Sequence, residues 1–257
     1  MELDYKYFYD WVRKSYGLTL DAYKDAQMQR RIASVMRKAG ARNFKEYAEL
    51  IKHHDNIRND FFDQVTINVT EFFRNKDKFD EFEQALSAKI IPRFRNIKIW
   101  SAACSNGAEP YTVGMILHSK GLDRSAKIIA TDIDLNILDK AKQGMYKERD
   151  LKNIDKEYLK KYFSIDGSDY MINDDIKKLV NFKRHDLIND TYEKDLHAII
   201  CRNVTIYFKN EVRNEIYHKF SEALVPGGIF FIGATEGIYN PGEFGFKKIT
   251  TSIYEKI

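Results

Sequence analysis

Two hydrophobic rhythms divide this chain. Over the first 75 residues apolar side chains recur at three- and four-residue intervals, β-branched runs are almost absent, and Gly17 and Gly40 mark breaks. That spacing predicts a small helical domain over residues 1–75. Its clearest helix runs from about Asp21 to Ala39, with Met28, Ile32, Val35, Met36 and Ala39 on one stripe and Lys24, Arg30, Arg31, Arg37 and Lys38 on another. Gly40 stops it, and Asn43 with Glu46 three residues later predicts a reciprocally capped start for the next helix.

From Ile97 onward short apolar runs alternate with amphipathic segments, the pattern of a parallel α/β sheet with helices on both faces. Strands are predicted at IKIWSAA, KIIATD, LVNFKRH, LHAIICRN and GIFFIGA, and helices over 111–119 and 210–224, the second closed by Pro226-Gly227-Gly228 before the next strand. The closing FKKITTSIYEKI predicts two short strands and an antiparallel edge. Residues 143–178 form a polar stretch too long for a simple crossover, so a small insertion of helix plus hairpin is expected there.

Composition narrows the chemistry mainly by exclusion. No apolar run approaches the roughly 20 residues of a membrane-spanning helix, and the opening MELDYKYFYDW lacks the basic-then-apolar order of a secretory signal. A cytoplasmic protein is expected. Cys104 and Cys201 are too few for a disulfide framework or a zinc site and read as small buried residues. Among six histidines only His53 and His54 are close, and adjacent residues point to different helix faces, so no metal is expected. A net charge of +4 is compatible with nucleic acid, anionic lipid or an acidic protein partner, and does not choose among them.

The first strand leads through SAACSNGAEPYT into a helix, a turn with one glycine instead of the three of a dinucleotide fingerprint. Glu109 near that helix start would repel a pyrophosphate but suits a cationic ligand such as a sulfonium amino acid. Asp132 ends the second strand about 25 residues beyond Gly107, where nucleotide-binding sheets place a carboxylate on ribose hydroxyls. An exposed turn aspartate is the plain alternative. Neither a P-loop lysine nor a GxSxG elbow is present.

Together these segments resemble the chemotaxis-receptor methyltransferases, CheR-type enzymes that form glutamate methyl esters on bacterial chemoreceptors. INVTEFFRN at 67–75, WSAACSNGAEPYT at 100–112, ATDID at 130–134 and CRNVTIYF at 201–208 carry the resemblance, in the family's order and across nearly the entire chain. It implies an N-terminal all-helical substrate-recognition domain (1–75) and a Rossmann-like class I methyltransferase sheet (76–257) with a β-subdomain inserted at about 144–180. It also implies S-adenosyl-L-methionine as cofactor and S-adenosyl-L-homocysteine as product.

Carried over by position, the resemblance implies cofactor contacts from Asn68, Thr70, Arg74, Glu109, Asp132, Asp186, Leu187, Arg202 and Asn203, with Arg74 and Tyr207 orienting the reacting groups. Two departures stand out: Ala108 replaces a commonly acidic residue, and Asp186 stands where asparagine is usual. The basic helix face, Arg30, Arg31, Arg37 and Lys38, is the candidate surface for an acidic helical receptor segment, against the plain alternative of a solvated face. Some relatives tether the receptor's C-terminal peptide on the β-subdomain through a G-x-G element. Here KYFSIDGSDYMINDDIKKL has only Gly167, so no tether is expected. An RNA or small-molecule methyltransferase on the same fold is the alternative activity; the turn CRNVTIYF, unlike the N/D-P-P-Y/F of base-amine methylation, speaks against it. A cofactor-binding adaptor without activity is the alternative from a non-enzyme class.

Overall fold

The computed structural model describes residues 4–257. It separates into two compact units, one formed by the chain up to Asn68 together with Tyr207–Arg213, the other by Val69–Ile206 and Asn214–Ile257.

The first unit is helical: α1 (Tyr5–Tyr16), α2 (Asp25–Lys38), α3 (Phe44–His53) and α4 (Asp55–Thr66). Asp4 caps α1 by accepting from the Tyr7 amide, and Gly17 at φ 70° ends it. Its core is aromatic. The Phe8 ring stacks on Phe44 at 4.7 Å and meets Phe61 edge-on at 5.8 Å, each such buried side chain being worth roughly 1.5–3 kcal/mol. The stripe Met28, Ile32, Val35 and Met36 is buried as its spacing predicts.

Helix α2 begins four residues later than the pattern suggests. Leu20–Ala22 form a 3-10 turn and Tyr23 is extended, because Tyr23 bridges to Phe208 and the Lys24 amide donates to the Tyr207 carbonyl at 2.9 Å. Asn43 caps α3 as expected, accepting from the Glu46 amide at 3.0 Å. Glu46 reaches back to the Arg42 amide at 2.8 Å instead of to Asn43.

The second unit opens with α5 (Lys76–Ala85), which widens into a π turn over Leu86–Ile90. Then follow β1 (Ile97–Ala102), α6 (Ala108–Ser119), β2 (Ala126–Asp132) and α7 (Leu135–Gln143). The insertion comes next: β3 (Met145–Tyr146), α8 (Lys156–Tyr162), β4 (Phe163–Asp166), β5 (Asp169–Ile172) and α9 (Asp174–Lys177). The main sheet resumes with β6 (Val180–Arg184), β7 (Leu196–Cys201), α10 (Asn210–Ala223), β8 (Leu224–Ile232), β9 (Phe246–Lys248) and β10 (Ile253–Lys256).

Seven strands pair in the order β6-β2-β1-β7-β8-β10-β9, and β3-β5-β4 make a separate small sheet. The first five of the seven are mutually parallel, whereas β10 runs antiparallel to both neighbours. This is a Rossmann-like sheet with an antiparallel edge and an inserted three-stranded piece. The near-continuous apolar runs of β1 and β7 follow from burial on both faces.

One punctuation signal acts differently from its expected role. Pro226-Gly227-Gly228 does not precede β8 but lies within it, where the register against β7 slips between Leu196 and Ala198. Such an irregularity tolerates the missing proline N–H and the positive φ of 76° at Gly227.

Candidate cofactor site

The strand order reverses direction at β1: the chain proceeds through β2 and β6 on one side, then returns to β7 and β8 on the other. Ligands of open α/β sheets bind beyond the carboxyl ends of the strands at such a point. Here the turns after β1, β2, β6 and β7 carry Glu109, Asp132, Asp186, Leu187, Arg202 and Asn203, all within the second unit.

The turn after β1 is tightly built. The Cys104 amide donates to the Thr131 carbonyl at 2.8 Å, and the Ser105 amide to the Asp132 carboxylate at 2.9 Å. A Cβ at Gly107 would come within 3.0 Å of Ala141 Cβ and 3.2 Å of Phe182 and Tyr111, and its φ is 86°, so glycine is required twice over. Ala103, Ser105 and Asn203 also hold positive φ, as do Phe73 and Asn75 in the segment bearing Arg74. Each such residue costs on the order of 1 kcal/mol, and strain of this kind collects where surroundings over-determine a functional backbone.

Glu109 is 8% exposed. It accepts from Ser101 Oγ at 2.8 Å and stands 3.7 Å from Arg202 Nη1. Burial pushes its carboxyl above the usual range, opposed by the charge of Arg202 and the Ser101 hydrogen bond. The Arg202 guanidinium donates to the Arg74 carbonyl at 2.7 Å and lies over the rings of Phe231 (4.7 Å) and Phe79 (4.9 Å). Asp132 is also buried and accepts from the amides of Ser105 and Asp134. Burial pushes its carboxyl up to about 6, with those amide bonds acting in the opposite direction.

Asp186 receives the amide of Ile188 at 2.8 Å and the Asn189 side chain at 2.8 Å, folding its own loop beside Leu187. Arg74 Nη1 donates to the Val69 carbonyl at 2.9 Å; Glu71 and Asp77 pair with Lys152 and Lys78 instead. Phe72 and Phe73 are core residues. Thr70 is half-buried in the same segment, and Asn68 ends the first unit's main run of chain.

In the first unit, Arg31 and Tyr207 meet: the guanidinium lies 4.7 Å from the ring centroid. Arg30 and Arg37 are exposed, whereas Lys38 bonds Asp60 at 2.6 Å. The basic stripe therefore divides, with Arg31 and Lys38 engaged internally. Both cysteines are free and buried, and no group of metal-ligating side chains exists among the described residues. No helix among them is long and apolar enough to cross a membrane.

Sequence pattern missed three contributors. Ser101 and Ser105 are buried beside the carboxylates, and Glu236, 8% exposed after β8, accepts from the Asn203 amide at 2.8 Å. Serines at a strand end carry no periodic signal. The only hint of Glu236 was an acid closely following a wholly apolar strand.

A mixed seven-stranded sheet of this order, with acids in its first two strand-to-helix turns, is the architecture of a class I methyltransferase. Residues 68–253 match the family described as CheR methyltransferase, SAM binding domain, and residues 3–66 that described as CheR methyltransferase, all-alpha domain. The chain belongs to the CheR methyltransferase family. It is 37% identical over 257 residues to a chemotaxis protein methyltransferase of Listeria monocytogenes and 36% identical to one of Listeria innocua, each match covering 100% of this chain and 98% of the relative. A Borreliella burgdorferi protein of the same description is 33% identical over 95% of this chain and 91% of its own length. This is an S-adenosylmethionine-dependent chemotaxis methyltransferase, and S-adenosylhomocysteine is its product.

The strand-end residues fit that cofactor. Glu109 and Arg202 offer opposite charges to an amino-acid zwitterion, and Asp132 offers a carboxylate to vicinal hydroxyls. Ser105 Oγ, Asn203 Oδ1 and Arg202 Nε are buried without a protein partner, polar atoms that a polar ligand would satisfy.

Proposed function

We propose that this enzyme methylates glutamate side chains in the helical cytoplasmic segments of chemoreceptors, producing methyl esters, and that it works in the cytoplasm. The observation that carries the reading is the buried set of charges at the strand ends, Glu109, Arg202 and Asp132, in a chain matching chemotaxis methyltransferases over its full length.

When bound, S-adenosylmethionine supplies an electrophilic methyl group. Transfer forms a carboxylate O–CH3 bond and breaks the S–CH3 bond; a glutamate of pKa about 4.3 is already ionised at neutral pH, so no general base is needed. The protein's work is orientation. Asp132 would hold the ribose, Asp186 and Leu187 would flank the adenine, and Glu109, Arg202 and Asn203 would hold the amino-acid end, with Thr70 completing the pocket. Arg74 orients a carboxylate through its planar fork. Tyr207, whose ring is steadied by Arg31 within the first unit, is the orienting tyrosine that the family resemblance implies. Arg30 and Arg37 attract the acidic receptor helix.

Labelled methyl transfer to receptor cytoplasmic fragments, to RNA and to buffer alone tests this. Base-labile label on the receptor fragment is expected. Label on RNA, or release without a protein acceptor, would overturn it.

A further inference from the structure

The second unit buries one more carboxylate whose bonds converge on the cofactor-facing backbone. Glu236 Oε2 accepts the Gly233 amide at 2.6 Å and the Asn203 amide at 2.8 Å, while Oε1 accepts Thr205 Oγ1 at 2.9 Å. Thr205 Oγ1 lies 3.0 Å from the Tyr217 hydroxyl, which extends the network into α10. Glu236 has no ion pair among the described residues, so its burial is compensated by these three donors.

The approach is close. A Cβ at Gly233 would stand 2.7 Å from Glu236 Oε2, 2.9 Å from Asn203 Nδ2 and 3.0 Å from the Asn203 amide. The backbone thus held is the strained one, with Asn203 at φ 60°. It also carries Arg202, whose guanidinium faces Glu109. No sequence motif singled out Glu236, yet it clamps the end of β8 to the turn after β7.

We propose that Glu236 is a positioning residue for cofactor binding: as a hydrogen-bond acceptor, it fixes the Arg202–Asn203 turn in the conformation that receives S-adenosylmethionine. The inference rests on reading the strand-end turns as the cofactor site. Its action is geometric and does not need the charge. A glutamine can place its amide oxygen on the two backbone N–H groups and donate to Thr205 Oγ1, which then donates to Tyr217. Alanine leaves two buried N–H groups without an acceptor.

The test is calorimetric titration of the full chain with S-adenosylhomocysteine. Glu236→Ala is expected to weaken binding by about 30-fold, whereas Glu236→Gln stays within about threefold of wild type, a rescue that loss of charge alone would not permit. Gly233→Ala, whose backbone needs no positive φ, presses on the same contact and is expected to weaken binding by about tenfold; it decides the matter if Glu236→Ala fails to fold. Wild-type affinity in Glu236→Ala or Gly233→Ala, or glutamine as weak as alanine, overturns the inference. Wild-type protein that does not bind the ligand overturns the site reading itself, and this inference with it.

Discussion

The helical unit and the sheet unit bury different chemistry. Phe8, Phe44, Tyr47 and Phe61 make an aromatic core in the first, and its charged side chains lie outside or half outside. Every buried polar or charged side chain among the described residues belongs to the second, and most cluster at the ends of parallel strands: Ser105 and Glu109 after β1, Asp132 and Asp134 at β2, Asp186 after β6, Arg202 and Thr205 after β7, Glu236 after β8. Burying apolar surface stabilises a fold, whereas burying carboxylates at best breaks even. The contrast teaches that the first unit is built for stability and a charged exterior, and that the second gives up stability at one rim, where the cofactor site is proposed.

The largest expected effect breaks the first half of that contrast. Phe8→Ala removes a fully buried ring from the helical core and should destabilise it by about 3–5 kcal/mol. Differential unfolding of variant and wild type should show that loss while affinity for S-adenosylhomocysteine is unchanged. Lost affinity at equal measure would mean that the two roles are not separable.

Asp132→Ala should do the reverse. Losing the carboxylate proposed to bind two ribose hydroxyls should cost roughly 2–4 kcal/mol of affinity, read by calorimetry. Stability should not fall correspondingly. Because the folded carboxyl is raised to about 6 from 3.8, the fold favours its protonated form. Its ionisation destabilises the protein above about pH 6, and the penalty is relieved as pH falls toward 3.8. Binding has the opposite need, an ionised carboxylate, so S-adenosylhomocysteine should bind about tenfold more weakly at pH 5 than at pH 7. Asp132→Asn should flatten that dependence; an unchanged slope in the variant assigns the titration to another group.

Reversing Arg30 and Arg37 to glutamate should raise the KM for a receptor fragment about tenfold, near 1.4 kcal/mol, and leave cofactor affinity alone. Salt should weaken the wild-type interaction, since the Debye length falls from about 10 Å at 0.1 M to about 3 Å at 1 M. An insensitive KM would make this a solvated face. The smallest effect is a null one. The β4–β5 turn contains the single Gly167, at φ 60°, and receptor C-terminal peptides titrated onto the enzyme should show no binding; micromolar binding contradicts this.

Much of this was legible in the sequence because periodicity reports burial. The two rhythms located α2, α3 and the main strands, and the spacing from Gly107 to Asp132 picked out the β2 carboxylate. What escaped was set by partners distant in the chain. The extended backbone at Tyr23 follows from pairing with Phe208, the Pro226-Gly227 irregularity from register against β7, and the role of Glu236 from amides at Asn203 and Gly233. The division of the basic stripe was equally hidden, since a charge pattern cannot show that Arg31 rests on Tyr207 and Lys38 on Asp60.

Hydrogen exchange of the full chain with and without S-adenosylhomocysteine tests the central claim most directly, because it reads both units at once. The account predicts added protection in the turns around 103–109, 132–134, 186–189 and 202–205, and none in the Phe8, Tyr47 and Phe61 core of α1, α3 and α4. Protection concentrated in that aromatic core, or unchanged exchange at the strand-end turns despite saturating ligand, would contradict it.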